Sequence, residues 1–211
     1  MRSWSVVVPA KRLAVAKTRL RPLTGDREHA EATHRELVLA LLADTVAAAV
    51  ACPAVGAVVV VTDEPAAADV VRPLGARIVG DEPDRGLNPA LEHGARTAPG
   101  TAVAALSSDL PALRPEELAA ALGAAAGTAR AFVADAHGTG TTLLTAVDTE
   151  LLPRFGAGSA AAHLRGGAAA LSGPWPGLIR DVDTEDDLRA ALALGAGPRT
   201  TAVAGRLWSA D

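Results

Sequence analysis

The sequence has one cysteine, Cys52, no tyrosine, and aromatic side chains at only 2% of its positions. A single thiol excludes an intramolecular disulfide, a cysteine-based zinc site and a CxxC redox pair. So few aromatic rings exclude base-stacking platforms, aromatic cages and an interfacial aromatic belt. No uninterrupted apolar run reaches the ~18 residues of a membrane helix. The nearest, 37–53, is broken by Asp44. The early run Val6-Val7-Val8-Pro9-Ala10 is too short for a signal peptide and lies upstream of most of the positive charge. A cytoplasmic protein without membrane contact is expected.

An excess of basic charge is also lacking. The net charge is -4, which argues against a general nucleic-acid binder. The chain is 49% hydrophobic and 21% charged, ordinary for a folded globular protein. Its 211 residues suit one generous domain.

The charge is unevenly placed. Residues 1–25 carry Arg2, Lys11, Arg12, Lys17, Arg19 and Arg21 and no acid, so a basic segment precedes an acidic body. Lys11 and Lys17 are the only two lysines; every other base is arginine. A lysine ammonium is compact and its three donors rotate freely, which suits phosphate oxygens approached from several directions. This segment reads as an anion site, against the plainer reading of a solvated helix face.

Short β-branched or small apolar runs read as strands at 4–8, 57–62, 76–79, 102–106 and 131–134. Between most of them lie helix-like segments at 26–52, 64–74, 88–98 and 115–125. The last opens on Pro115, with Glu116 and Glu117 complementing the helix dipole. Further strands are expected at 142–146 and 178–182, separated by a helix from 159 to about 171. The alternation predicts an α/β fold: a three-layer sandwich around a mostly parallel mixed sheet. Periodicity fades after Gly195-Ala-Gly-Pro198, so a single domain over 1–194 and a loosely held tail over 195–211 are expected. Ligands in such folds bind beyond the carboxyl ends of the strands.

Several residues fall at those ends. The turn after the first strand, Pro9-Ala-Lys11-Arg12-Leu-Ala-Val-Ala-Lys17-Thr-Arg19-Leu20, has cations where phosphate-binding loops usually have glycines. Asp109 follows the strand at 102–106 in Ser107-Ser108-Asp109-Leu110-Pro111, as a magnesium ligand or as the acid of an Asx-turn. Asp181 and Asp183 flank Val182, an i, i+2 pair that would share one face of a strand. They read as metal contacts or as a solvated strand end. Thr184-Glu-Asp-Asp187 reads as a capping box for the next helix. Phe155-Gly156-Ala-Gly158-Ser159 enters a helix with Ser159 near its cap, as an anion seat, to which Thr141 could add a hydroxyl, or as an ordinary turn. Its match to the dinucleotide fingerprint lacks a preceding first strand. Asn88 caps a helix or meets a nucleobase edge. The five histidines form no metal-binding spacing, no GxSxG elbow is present, and nothing around Cys52 activates a thiol.

Six motifs occur in register: Val-Pro-Ala-Lys11-Arg-Leu-Ala-Val-Ala-Lys17-Thr-Arg-Leu, Gly86-Leu-Asn88-x-Ala-Leu, Ser-Asp109-Leu-Pro-Ala-Leu, Ala-Asp135-x-x-Gly-Thr-Gly-Thr141, Arg-Phe-Gly156-x-x-Ser159-Ala-x-x-His163 and Asp181-Val-Asp183-Thr. Together, from Ser5 to Leu194, the chain resembles the phosphoenolpyruvate (2-phospho-L-lactate) guanylyltransferases of coenzyme F-420 biosynthesis. The resemblance implies a nucleotidyltransferase fold of the glycosyltransferase-A-like type. It implies transfer of GMP from GTP to the phosphate of phosphoenolpyruvate, giving enolpyruvyl-diphospho-guanosine and pyrophosphate, with possible hand-over to a downstream transferase. By the same resemblance Lys11, Arg12, Lys17, Arg19 and Asn88 face GTP, with Lys11, Lys17 and Asp109 in the catalytic roles. Thr141, Gly156 and Ser159 hold phosphoenolpyruvate, and Asp109, Asp181 and Asp183 surround Mg²⁺. The competing expectations are the same chemistry on 2-phospho-L-lactate or 3-phosphoglycerate, a nucleotide-binding oxidoreductase built on Gly156-x-Gly158, and a non-catalytic binding protein.

Overall fold

The first strand, β1 (Trp4–Pro9), reads Trp-Ser-Val-Val-Val-Pro and is buried at every residue but its last. Burial on both faces is the signature of a central parallel strand. Val6 and Val8 enter one core and Val7 the other, as the two-residue period of a strand requires. The computed structural model describes residues 3–10, 18–24, 30–82 and 84–208.

Seven strands form one sheet in the order β3-β2-β1-β4-β6-β5-β7. They are β1, β2 (Val55–Val61), β3 (Arg77–Val79), β4 (Ala102–Leu106), β5 (Arg130–Ala134), β6 (Thr141–Val147) and β7 (Ala169–Leu171). Parallel pairing joins β1 to β2 and β4, β2 to β3, and β5 to β7; β6 runs antiparallel to both β4 and β5. Strand order reverses at β1: the chain runs outward on one side through β2 and β3, then returns to the other side of β1 as β4. The carboxyl ends of β1 and β4 therefore flank a topological switch point.

After the short α1 (Arg21–Thr24), the long α2 (Ala30–Ala51), α3 (Pro65–Val71) and α5 (Pro115–Ala125) cover one face of the sheet. On the other lie α4 (Leu87–Thr97) and α6 (Ser159–Arg165). Here is the expected three-layer sandwich, and six of the seven expected strand positions hold to within one residue at their carboxyl ends. A third apolar cluster sits beyond the sheet. Leu37 and Leu41 of α2 meet Leu188 of α7 (Glu185–Leu194), Val203 and Leu207 of α8 (Pro198–Trp208), and Ala112 and Val182 from two loops. The expected capping box is formed: Thr184 and Asp187 exchange side-chain and backbone bonds at the start of α7.

Three expectations need correction. Residues 178–182 form no strand. Their N–H groups go to unrelated acceptors: Leu178 to the Glu117 carboxylate, Ile179 to Trp175 and Val182 to Asp109. Asp181 and Asp183 thus sit on a loop and not on a strand face. The helix expected to reach 171 stops at Arg165, before Gly166-Gly167, and the chain re-enters the sheet as β7. Residues 198–208 are not loosely held, because α8 buries Thr200, Val203, Ala204 and Leu207. Among the described residues no helix is long and apolar enough to cross a membrane.

Candidate active site

Among the described residues, the candidates Asp109 and Thr141 lie at one edge of the sheet. β1, β4 and β5 end there, and the antiparallel β6 begins there. Leu106 pairs with Leu143 at the end of the β4–β6 ladder, and the Ser107 N–H continues it to the Thr142 carbonyl at 2.8 Å. The loop bearing Asp109 and the strand start bearing Thr141 are therefore immediate neighbours.

Asp109 is 8% exposed, and its turn is fixed from two directions. Leu110 N–H donates to Thr45 Oγ1 at 2.9 Å, and the same hydroxyl donates to the Leu41 carbonyl at 2.8 Å within α2. The Asp109 carbonyl accepts the Val182 N–H at 3.1 Å. This last bond draws Asp181 and Asp183 up to Asp109, on two loops rather than on a loop and a strand. Asp187 is committed elsewhere: its Oδ2 accepts Asp183 N–H, Thr184 N–H and the Thr184 hydroxyl. Among the described residues, Asp109, Asp181 and Asp183 included, no three His, Cys, Asp or Glu side chains form a group that could hold a metal ion. Mg²⁺ is commonly held by only one or two carboxylates, together with substrate phosphates and water.

A second constellation is built around His163, which is 2% exposed. Its Nδ1 lies 2.9 Å from Thr141 Oγ1, and its Nε2 accepts the Arg154 backbone N–H at 2.8 Å. Ser159 Oγ donates to Thr141 Oγ1 at 3.1 Å. Phe132 and Phe155 wall the imidazole, the latter edge-on with 5.2 Å between ring centroids. Burial, and secondarily the Arg154 cation, lower the His163 pKa from 6.5 to about 4. The imidazole is therefore neutral at pH 7.

Two loops carry these groups. Asp135 closes the β5–β6 turn by accepting Thr139 N–H at 2.9 Å and Gly140 N–H at 2.8 Å. A Cβ at Gly140 would fall within 2.3 Å of Asp135 Oδ2, so only glycine permits the turn. The second loop runs through Gly156 and Gly158, both with positive φ, into Ser159. It is joined to the first where Ala160 N–H meets the Thr139 carbonyl. This glycine loop lies between β6 and β7, without the first-strand context that a dinucleotide fingerprint needs.

Asn88 is engaged with the chain itself. Its Oδ1 accepts Phe155 N–H at 2.8 Å, and its Nδ2 donates to the Phe155 carbonyl at 3.1 Å. This brace holds the residue before Gly156. Arg19 lies exposed on a 3-10 turn, Thr18–Leu20; Lys11, Arg12 and Lys17 lie outside the described residues. Cys52 is buried and its pKa is raised by that burial, which leaves it an unreactive core thiol.

Sequence reasoning missed Thr45 as the anchor of the Asp109 turn and His163 as the partner of Thr141. Thr45 carries no distinguishing local signal, since its bond to Leu41 is one that a threonine in any helix can make and its bond to Leu110 depends on how α2 docks. A cavity of about 550 Å³ between Glu92, Arg96, Thr101, Asp148 and Glu150 is at the opposite edge of the sheet and contains none of the candidate residues.

Known proteins resemble this chain throughout its length. A protein of Geodermatophilus obscurus named phosphoenolpyruvate guanylyltransferase is 68% identical over 205 residues, covering 97% of this chain and 95% of the relative. One of the same name from Streptomyces coelicolor is 53% identical over 97% of each chain. Among solved structures, a nucleotidyl transferase from Methanothermobacter has a TM-score of 0.68 at 23% identity, covering 92% of this chain and 98% of its own, and so shares the fold. A Mycobacterium tuberculosis protein solved in complex with manganese has a TM-score of 0.52 at 22% identity, covering 92% and 99%. The sequence model described as "Guanylyl transferase CofC like" matches residues 4–202, and the chain belongs to that family of guanylyl transferases.

Proposed function

We propose that this enzyme transfers GMP from GTP to the phosphate of phosphoenolpyruvate, forming enolpyruvyl-diphospho-guanosine and releasing pyrophosphate. The observation that carries the reading is the meeting, at one sheet edge, of two differently built sites. One is the Asp109 turn, tied through Val182 to the loop that bears Asp181 and Asp183. The other is a hydroxyl-lined seat, Thr141 with Ser159 beside Gly156.

The first suits a metal-bound triphosphate and the second a small phosphorylated acid. Lys11, Arg12, Lys17 and Arg19 would neutralise the GTP phosphates at the carboxyl end of β1. Thr141, Ser159 and the backbone around Gly156 would hold the acceptor, with Asn88 fixing that loop from α4. Asp109, Asp181 and Asp183 would hold Mg²⁺, which when bound polarises phosphate oxygens and offsets the charge of the departing pyrophosphate.

The acceptor's phosphate is already ionised, so no protein nucleophile or general base is required. One of its oxygens forms a bond to the α-phosphorus of GTP as the bond to the bridging oxygen of pyrophosphate breaks, and that oxygen departs with the electron pair. The chain's own contribution is to hold donor and acceptor in line and to balance charge.

The test is pyrophosphate release with GTP and Mg²⁺, comparing phosphoenolpyruvate, 2-phospho-L-lactate and 3-phosphoglycerate, with ATP as the nucleotide control. Release with phosphoenolpyruvate and GTP is expected. A preference for either other acid would reassign the acceptor, and silence with all three, in the presence of the enzyme that consumes the product, would overturn the reading.

A further inference from the structure

His163 touches none of the groups that would react, yet it determines what the acceptor seat can offer. The Arg154 backbone N–H can only donate, so the Nε2 it meets at 2.8 Å carries a lone pair and no proton. A neutral imidazole then has its proton on Nδ1, which faces Thr141 Oγ1 at 2.9 Å. Thr141 Oγ1 consequently accepts from His163 on one side and from the Ser159 hydroxyl on the other. Both of its lone pairs are filled. Among the described residues the Thr141 hydroxyl meets these two donors and no acceptor.

We propose that His163 is a positioning residue that locks the Thr141–Ser159 pair into a net hydrogen-bond donor, so that the seat accepts the anionic oxygens of a phosphorylated acid. The proton count supports the lock whichever hydroxyl faces the ligand. With Nδ1–H fixed, Thr141 cannot donate to His163. One hydroxyl proton serves the bond between the two side chains and the other is left for the ligand. With the opposite tautomer, Nδ1 would take the Thr141 proton, and Nε2–H would oppose the Arg154 N–H. A fully ionised phosphate or carboxylate oxygen only accepts, which is the complement of what the locked pair presents.

The walls maintain the lock. Phe132 and Phe155 pack on the ring. Among the described residues Arg154 is the one charged group that shifts the ring's titration, and like burial it disfavours the imidazolium. An imidazolium would also lose the Nε2 acceptor that Arg154 N–H requires.

The proposal rests on the guanylyl-transfer reading, and the test separates the two. KM for phosphoenolpyruvate and KM for GTP would be measured for wild type, His163→Phe, Thr141→Val and the double variant. His163→Phe keeps an aromatic ring among Phe132 and Phe155 and removes both imidazole bonds. KM for phosphoenolpyruvate should rise about tenfold or more, as for loss of a hydrogen bond to a charged group, with KM for GTP little changed. In the Thr141→Val background the same substitution should add nothing. Independent, multiplying effects on KM, or an equal rise for both substrates, would mean a merely structural histidine and overturn the proposal. If His163→Phe fails to fold, His163→Asn, whose amide nitrogen reaches the Nδ1 position, takes its place and should restore most of the affinity for the acid. A ¹H–¹⁵N spectrum of the wild-type imidazole needs no turnover: Nδ1–H is expected, and Nε2–H overturns the lock. An enzyme silent in the pyrophosphate assay would instead overturn the guanylyl-transfer reading, with the tautomer still decided by that spectrum.

Discussion

The backbone N–H of Val182 donates to the carbonyl of Asp109 at 3.1 Å, joining two loops that are 73 positions apart in the chain. Val182 is also fully buried, in the cluster formed by α2, α7 and α8. One residue thus ties the carboxylates on either side of it to Asp109 through its backbone and to the apolar core through its side chain. The capping box at Thr184 fixes the chain immediately downstream. The fold thus brings the two loops together through a backbone bond and a buried side chain.

Asp109→Asn should separate chemistry from folding. The substitution keeps the side chain's size and removes its charge. Turnover is expected to fall by about 10²–10³, the scale of losing one electrostatic stabiliser, while the thermal midpoint moves by a few degrees at most. Steady-state pyrophosphate release and a melting curve on the same sample check this. Turnover within twofold of wild type would remove Asp109 from the site.

Thr45 predicts a different pattern. Thr45→Val preserves shape but leaves the buried Leu110 N–H without its acceptor. The expected cost is about 1–3 kcal/mol of stability, together with reduced turnover, because the Asp109 turn loses one of its fixings. Thr45→Ser retains the hydroxyl and should recover most of both. Denaturant unfolding of the two variants gives the comparison, and equal stability in both would show that the bond carries no weight.

How much of this was legible in the sequence depends on where the hydrogen bonds go. Val6, Val7 and Val8 announce a doubly buried strand because a central parallel strand needs apolar residues on both faces. Leu178 and Val182 carry a similar apolar signal and are equally inside, with Ile179 half-buried between them, yet a helix side chain and loop carbonyls, not a ladder, take up their N–H groups. Periodicity reports burial and says nothing of the hydrogen-bond partner. The reverse error hid β7: Ala169-Ala170-Leu171 has helical composition and joins the sheet only because β5 lies beside it. The rule that ligands bind beyond the carboxyl ends of strands pointed to Asp109, and the small-residue turn before β6 pointed to Thr141. Thr45, His163 and the Asn88 brace were not legible, since each acts on a residue at least 22 positions away.

The helix found in place of a loose tail carries a prediction of its own. Asp44, on α2 and 6% exposed, accepts the Thr200 N–H at 2.7 Å and the Arg199 N–H at 3.4 Å, capping α8 from another helix. A Cβ on Gly197 would approach Asp44 Cγ to 2.3 Å, so the cap also requires glycine there. Asp44→Ala should cost about 1–2 kcal/mol, in the range of a lost helix cap. Removing residues 198–211 should do more, by uncovering Leu37 and Leu41. Chemical denaturation tests both, and a truncated chain as stable as the full one would mean that α8 contributes nothing to this core.

Acid sensitivity follows from the same histidine that sets the acceptor seat. His163 titrates near 4 in the folded chain, against 6.5 in an exposed one, through burial first and Arg154 second. Between those values the unfolded chain binds a proton that the folded chain does not. Stability therefore rises with pH across that window and is independent of this group above it. Fully developed, at and below pH 4, the loss relative to neutral pH is about 3 kcal/mol. His163→Asn removes the titrating group and should flatten the stability profile between pH 4 and 6.5, while the histidines that remain contribute equally to both proteins. Urea unfolding of wild type and variant at half-unit pH steps measures the difference directly. Parallel profiles would mean that the His163 imidazole is protonated as readily in the folded protein as in the unfolded chain. Its Nε2 would then carry a proton opposed to the Arg154 N–H, and the bond observed there could not persist.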